Sequence, residues 1–292
     1  MKMRSNTTAH THESFTVHER HYCETLNLPR RSSSNGTQGF VYLVGAGPND
    51  PDLLTVKALK VIQTADVVVY DRLVGREILD LVNPDAEMVY VGKRCGLPSL
   101  KQEETNRLLV EFAQKGLQVV RLKGGDPFIF GRGGEEALEL VKHNIAYQVI
   151  PGITAAIGCS SSALIPLTHR QVSRSVTLIT GQVVTGALPA WAGLVASGQT
   201  LVFYMGLENA SSIQEGLIQH GLSADTPVAV VGQGCSVNQT VVTFELHQLT
   251  QTANDLKGLS PALIIMGDVV KLREQLIQTA QATRFQAESA HL

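Results

Sequence analysis

The chain has no run of about eighteen apolar residues, the length a helix needs to cross a bilayer, and its first twenty residues are polar, without the apolar core of a secretion signal. A cytoplasmic location is expected. Cysteine is scarce and scattered: Cys23, Cys95, Cys159 and Cys235 lie too far apart to suggest a zinc knuckle or a disulfide framework, so no metal centre is expected. Charge of one sign is not in excess either. A formal net charge of −2 gives no general attraction to nucleic acid or to an anionic membrane, so an anionic ligand must meet a local basic patch. A nucleophile elbow, a Walker-type phosphate loop and an HExxH helix are also missing. Hydrolysis and phosphoryl transfer therefore have little support, and direct group transfer between two bound ligands remains.

What is present is ample material for globular cores: 292 residues with 43% hydrophobic and 17% charged side chains suffice for one large or two medium domains. Residues 1–38 differ from the rest. They hold His10, His12, His18 and His21, the run Ser32 to Ser34, and few core formers, so they read as a flexible extension whose histidines are simply solvated. From Phe40 onward strands alternate with helices. Phe40 to Val44 is a buried strand, and Leu54, Ala58, Leu59 and Ile62 recur at helical spacing after it. Strands at Val67 to Tyr70, Met88 to Val91, Val119 to Leu122 and Tyr147 to Ile150 follow, with helices near Glu77 to Leu81, Gln102 to Lys115 and Glu135 to His143 between them. Such alternation predicts a mainly parallel sheet covered on both faces.

The stretch from Val119 to Glu136 organises the whole. A short strand ends at Gly124, Gly125 and Asp126-Pro127, and a second glycine pair, Gly133 and Gly134, opens a helix with Glu135 and Glu136 in its first turn, where the helix dipole favours acids. Two glycine pairs around Asp126, Phe128, Phe130 and Arg132 point to a ligand site. The loop after the first strand, Gly45 to Asp50, fails the dinucleotide pattern, since Asp50 stands where a third glycine belongs. It suits a ligand other than a phosphate. In parallel sheets ligands sit at the carboxyl ends of strands, and the loops at 45–50, 71–72, 92–94, 124–132 and 151–154 all fall there, describing one cleft.

The second half restarts at Val176 to Thr180 and Thr200 to Tyr204, carries a helix through Ile213 to Ile218 ended by Gly221, and adds strands at Val228 to Val231, Val241 to Leu246 and Ala262 to Met266. Fewer helices between strands predict a mixed sheet. The division expected is an extension at 1–38, an α/β domain at 39–165, a second α/β domain at 166–275 and a tail at 276–292. The cleft would combine glycine loops, the carboxylate Asp126, apolar Pro48, Ile129 and Met205, and the cations Lys93, Arg94, Lys123, Arg132 and Arg170. A cationic cofactor fits the loop side and a polyanionic substrate the arginine side.

Eight motifs then carry a resemblance: Gly45-Ala-Gly-Pro48, Asp50-Pro-Asp-Leu-Leu-Thr55, Val69-Tyr-Asp-Arg-Leu-Val74, Val91-Gly-Lys-Arg94, Gly124 through Glu136, Pro151-Gly-Ile-Thr-Ala-Ala156, Pro166-Leu-Thr-His-Arg170 and Ser260-Pro-Ala-Leu-Ile-Ile265. Over about Phe40 to Leu272 the chain resembles the tetrapyrrole methylase family, and within it the uroporphyrinogen-III C-methyltransferases. The resemblance implies two α/β domains of the tetrapyrrole methylase fold with the active-site cleft between them, a homodimer, and S-adenosylmethionine as methyl donor, leaving as S-adenosylhomocysteine. It implies two methylations of uroporphyrinogen III, at ring positions 2 and 7, giving precorrin-2 through precorrin-1 for siroheme, cobalamin or haem d1 synthesis.

Carried over by motif, the cofactor contacts are Pro48, Gly124, Gly125, Asp126, Ile129, Thr154, Ala155, Met205, Gly234 and Ala262. Arg132 and Arg170 are expected at the substrate carboxylates, with Glu135 orienting an arginine or a pyrrole N–H, Asp71 as proton acceptor and Lys93 as proton donor. On its residues alone, Asp71 has a second reading, as a partner that fixes Arg72. Two positions depart from the family: Asn49, where glycine is usual, and Gln182, where histidine is usual. The sequence shows no dehydrogenase and ferrochelatase module, so the reaction is expected to stop at precorrin-2. The alternatives are a cobalt-precorrin methyltransferase of the same fold and a non-catalytic tetrapyrrole-binding protein.

Overall fold

The computed structural model describes residues 38–92, 101–181, 191–196 and 198–278. The extension through residue 37, Lys93 and Arg94, Gln182, Cys23 and Cys95, and the tail from residue 279 lie outside the described residues. Ten strands form two five-stranded sheets. The first has the order β3-β2-β4-β1-β5 and is parallel throughout, with β1 (Phe40–Gly45), β2 (Val67–Tyr70), β3 (Glu87–Tyr90), β4 (Gln118–Lys123) and β5 (Ala146–Ile150). Parallel neighbours require crossover connections, and helices α1 (Val56–Ile62), α2 (Arg76–Leu79), α3 (Gln102–Gln114) and α4 (Gly133–Lys142) lie in them. Thr55 starts α1 by accepting a hydrogen bond from the Ala58 amide at 3.1 Å, which satisfies one of the free donors at a helix start.

Both faces of this sheet are buried, which is why its strands read as continuous apolar runs rather than alternating ones. On one face Val41, Leu43, Val69 and Val119 pack against Leu109 and Phe112 of α3 and Ala137 and Leu140 of α4. On the other, Tyr42, Val44, Val68 and Val120 are also buried.

The second sheet is mixed, in the order β6-β7-β10-β8-β9, with β6 (Val176–Thr180), β7 (Thr200–Tyr204), β8 (Pro227–Gly232), β9 (Thr240–Glu245) and β10 (Ala262–Met266). Only β6 and β7 pair in parallel. One face meets α6 (Trp191–Ala196), α7 (Ala210–Gln219) and α8 (Leu249–Asp255) through Trp191, Ile213, Leu217 and Leu249 around Phe203 and Ile264. Full burial of a side chain such as Phe203 or Leu217 stabilises by about 1.5–3 kcal/mol. The opposite face packs against α5 (Ala155–Ser162), the helix that follows β5, through Ala156, Cys159 and Ala163.

The architecture is that expected, two α/β domains with one parallel and one mixed sheet. Helices α5, α6 and α8 and a helical segment over 272–278 exceed the expectation. Several boundaries differ by one to three residues. The helix expected at Glu135 begins at Gly133, with Arg132 in the capping position, and the last strand residue expected, Leu246, already belongs to a 3₁₀ turn. Among the described residues no helix is long and apolar enough to cross a membrane.

Candidate active site

The carboxyl ends of the first sheet's strands meet the second sheet around a cavity of about 470 Å³. Its floor is held by an unusually close approach of three loops. The Gly47 and Gly125 amides each donate to the other's carbonyl, at 3.1 and 2.7 Å. A Cβ on Gly45 would stand 2.6 Å from the Gly125 carbonyl oxygen, and one on Gly152 would overlap that same oxygen, so no side chain larger than hydrogen fits. Gly125 also holds φ +70°, in the region that favours glycine. Asp126 locks the arrangement, accepting from the Phe128 amide at 2.9 Å and the Gly152 amide at 3.1 Å. Asp50, the residue that broke the dinucleotide pattern, accepts from the Asp52 amide at 2.9 Å and begins a 3₁₀ turn.

All ten expected cofactor positions line this one cavity. Pro48, Gly124, Gly125, Asp126 and Ile129 come from loops of the first sheet, and Thr154 and Ala155 from the start of α5. Met205, Gly234 and Ala262 come from the second sheet. Non-glycine residues with left-handed backbone angles gather on the same wall: Asn49, Phe130, Arg132 and Met205 at φ +86°, +51°, +58° and +54°. Such angles are costly and collect where a site demands them. Tyr204, on the same wall, accepts from the Ala156 amide at 2.9 Å and shares a 2.6 Å hydrogen bond with the Thr154 hydroxyl; burial pushes its phenol pKa up.

Asp71 also lines the cavity, a quarter exposed at 26%. Its Oδ1 accepts from the Leu73 amide at 3.0 Å and its Oδ2 from Arg121 Nη2 at 3.2 Å. Its guanidinium partner is thus not Arg72, which instead donates to Ser260 Oγ at 3.2 Å, from the loop before β10. Arg121 is buried and fully engaged. Its Nε donates to Glu136 Oε1 at 3.0 Å, and its Nη1 to the Val69 and Leu122 carbonyls. The same Glu136 oxygen accepts from Lys123 Nζ at 2.9 Å and from Gln102 Nε2 at 3.2 Å, while Oε2 meets no donor among the described residues. Burial pulls the Lys123 pKa down, the Arg121 charge pulls it further, and the Glu136 carboxylate opposes both.

Of the expected substrate contacts, Arg132 lines the cavity and holds Glu135 by two hydrogen bonds, Nε to Oε1 at 2.9 Å and Nη2 to Oε2 at 2.7 Å; Glu135 itself does not line it. Both are about half exposed, and the pairing raises the Arg132 pKa and lowers that of Glu135. Arg170 is exposed on the turn at 169–173 and does not line the cavity. Lys93 lies outside the described residues.

The fold agrees with comparisons to known proteins. The profile of the tetrapyrrole (corrin/porphyrin) methylases matches residues 41–250. The chain belongs to this family. The siroheme synthase of Pseudomonas fluorescens strain Pf0-1 is 55% identical over 242 residues, covering 82% of this chain and 52% of that protein. The siroheme synthase of Salmonella arizonae is 56% identical over 239 residues, with the same two shares. This methylase chain spans about half the length of the curated relatives it matches. Among solved structures, a uroporphyrin-III C-methyltransferase from Thermus thermophilus, complexed with S-adenosylhomocysteine, is 39% identical with a TM-score of 0.70, covering 80% of this chain and 100% of its own. A cobalt precorrin-4 methyltransferase is 27% identical with a TM-score of 0.71, over 79% of this chain and 95% of its own.

Sequence reasoning missed Arg121, Glu136 and Gln102. One signal was available. Arg121 and Lys123 are two apart on a strand that also carries apolar Val119, Val120 and Leu122, so they share one face, and buried cations on one face require a carboxylate opposite them.

Proposed function

We propose that this methylase transfers methyl groups from S-adenosylmethionine to carbon atoms of uroporphyrinogen III, giving precorrin-2 by two successive methylations at ring positions 2 and 7. The observation that carries the reading is that a single cavity gathers the glycine loops, the apolar wall and Asp71. The lining suits the cofactor's chemistry. Gly124, where a Cβ would lie 2.5 Å from that of Leu73, leaves backbone free to approach a ligand, and Asp126 supplies negative charge towards a sulfonium. Ile129, Met205 and Ala262 offer apolar surface to an adenine ring.

When bound, S-adenosylmethionine supplies an electrophilic methyl to a nucleophilic pyrrole carbon and leaves as the neutral thioether S-adenosylhomocysteine. The protein contributes mainly alignment, since holding two ligands in line replaces a bimolecular encounter. A proton then leaves the macrocycle, and Asp71, fixed by the Leu73 amide and Arg121, is assigned to receive it. Lys93 is assigned as proton donor. Arg132 and Arg170 are assigned to the substrate's carboxylates, with Glu135 orienting Arg132. We also propose a homodimer. Exposed Ile157, Leu164 and Leu276 line a common shallow hollow that supports such a contact, and sedimentation would give the monomer mass if the proposal is wrong.

The deciding experiment is anaerobic incubation with uroporphyrinogen III and methyl-labelled S-adenosylmethionine, followed by mass analysis of the macrocycle. Two added methyl groups are expected. An unlabelled macrocycle with cofactor binding intact would redirect the assignment to a later corrinoid, the substrate class in the name of the cobalt precorrin-4 enzyme, or to a binding protein.

A further inference from the structure

We infer that Glu136 is a positioning residue for methyl transfer: by holding the Arg121 guanidinium from behind, it sets the orientation and the charge surroundings of Asp71. The inference rests on Asp71 being the proton acceptor.

The geometry forms a relay of fixed groups. Glu136 stands in the first turn of α4, wholly buried, and its Oε1 takes hydrogen bonds from Arg121, Lys123 and Gln102. Arg121 spends its Nε on Glu136 and its Nη2 on Asp71, so one guanidinium is shared between two carboxylates. Neither partner can shift without the other, because Nη1 is tied to the Val69 and Leu122 carbonyls of β2 and β4. Asp71, Arg121, Lys123 and Gln102 all line the cavity, Asp71 with a quarter of its side chain exposed and Arg121 nearly buried; Glu136 does not line it. Glu136 therefore acts through Arg121, not on the substrate.

The charges make the arrangement more than a brace. Arg121, Lys123, Glu136 and Asp71 sum to zero when all are ionised. Among the described residues, the other charged groups around Asp71 are Arg72, turned to Ser260, and Arg76 and Asp80, both exposed on its outer side together with half-buried Tyr70 and Tyr90. Removing the Glu136 charge leaves one surplus positive charge in a buried setting and gives Asp71 the undivided attraction of Arg121. A nearby cation favours the ionised carboxylate, so Asp71 would hold protons less well and become a weaker base. A carboxylate placed behind the arginine keeps the buried cluster electrically neutral. That also accounts for an orphaned oxygen, Glu136 Oε2, tolerated in a dry site where a neutral apolar residue would cost less.

The test compares Glu136→Gln, the charge-balanced pair Lys123→Met with Glu136→Gln, and Asp71→Asn, reading methyl transfer from labelled S-adenosylmethionine as a function of pH. Glu136→Gln is expected to lower kcat about tenfold, keep the KM for S-adenosylmethionine within about twofold, and move the acidic limb of kcat down by about one pH unit. In the balanced pair the limb is expected back near its original position while kcat stays low, because charge is restored and the hold on Arg121 is not. If Glu136→Gln lowers the melting temperature but leaves kcat and its acidic limb where they were, Glu136 is merely structural and the inference fails. Should Glu136→Gln not fold, full kcat in the balanced pair would overturn it equally. Wild-type turnover in Asp71→Asn would instead refute the acceptor assignment, an outcome distinct from either.

Discussion

In the first sheet, strand β4 carries two buried cations, Arg121 and Lys123, and a buried carboxylate answers them from α4. In the second sheet, among the described residues, no charged side chain is buried at all; its interior polar groups are hydroxyls such as Ser173 and Thr200. Both sheets are five strands wide and clad with helices, so architecture does not explain the difference. Burying an ion costs several kcal/mol even when it is paired, and an ion-free core such as the second sheet's serves stability better. The ions of the first sheet lie where β4 runs into the cavity. The contrast separates two tasks: one sheet brings charge to the cavity, the other supplies an ion-free core and a wall.

The sharpest way to break this contrast is Asp71→Asn. Turnover is expected to fall by roughly 10²- to 10⁴-fold with an unchanged melting temperature, as a group exposed to the cavity and held by neutral as well as charged donors leaves little strain behind. Phe203→Ala tests the other side. It should cost about 3–5 kcal/mol in urea unfolding while leaving kcat/KM at 25 °C close to that of the parent, because Phe203 touches only the apolar interior. A large loss of kcat in the folded fraction would show that the second sheet does more than support. Gly152→Ala falls where three loops of the first sheet meet beneath the cavity. Its methyl would collide with the Gly125 carbonyl, and the displaced loops are expected to lower kcat/KM about a hundredfold, with S-adenosylhomocysteine binding measured by calorimetry weakened in step.

Arg132→Ala should be milder for the fold. An exposed pair such as Arg132 with Glu135 contributes about 0–1 kcal/mol, so melting should barely move, while the KM for the macrocycle rises several-fold if the arginine meets a substrate carboxylate. The smallest effect concerns Cys159, beside the cavity. Burial foremost, and then the neighbouring Cys235, push its thiol up from 9.0 to about 12. Because the folded value lies above the unfolded one, the thiol's contribution to stability is complete below pH 9 and is lost as pH rises towards 12. Wild-type protein should therefore lose melting temperature more steeply than Cys159→Ala between pH 9 and 11, and parallel curves would contradict the burial argument.

Much of this was legible in the sequence because the loops at strand ends are short and their residue types restricted. The glycine pairs, the Asp-Pro after β4, and the alternation of strands and helices put five loops on one edge of the first sheet without knowledge of packing, while the cofactor positions themselves came from the family's motifs. Helix α5 escaped notice because AAIGCSSS has small residues on all sides and no apolar stripe to mark a face. The charge network was hidden for a different reason. Arg121 and Glu136 are fifteen residues apart, and their meeting depends on α4 folding back over β4 at an angle that no local pattern encodes. Arg170 shows the converse: a motif named it, and it stands on an exposed turn outside the lining of the cavity, a placement no local pattern gives.

The meeting of Gly45, Gly125 and Gly152 has a bearing on how this scaffold could be re-engineered. Three chain segments lie backbone against backbone, so a change at any one propagates at once to the other two. A mutant library directed at new macrocycles would squander its diversity on these positions. Variation belongs in the side chains that project from the rim, such as Phe128 and Phe130, where exposure of 56% and 41% leaves room for new shapes without disturbing the fixed seam beneath.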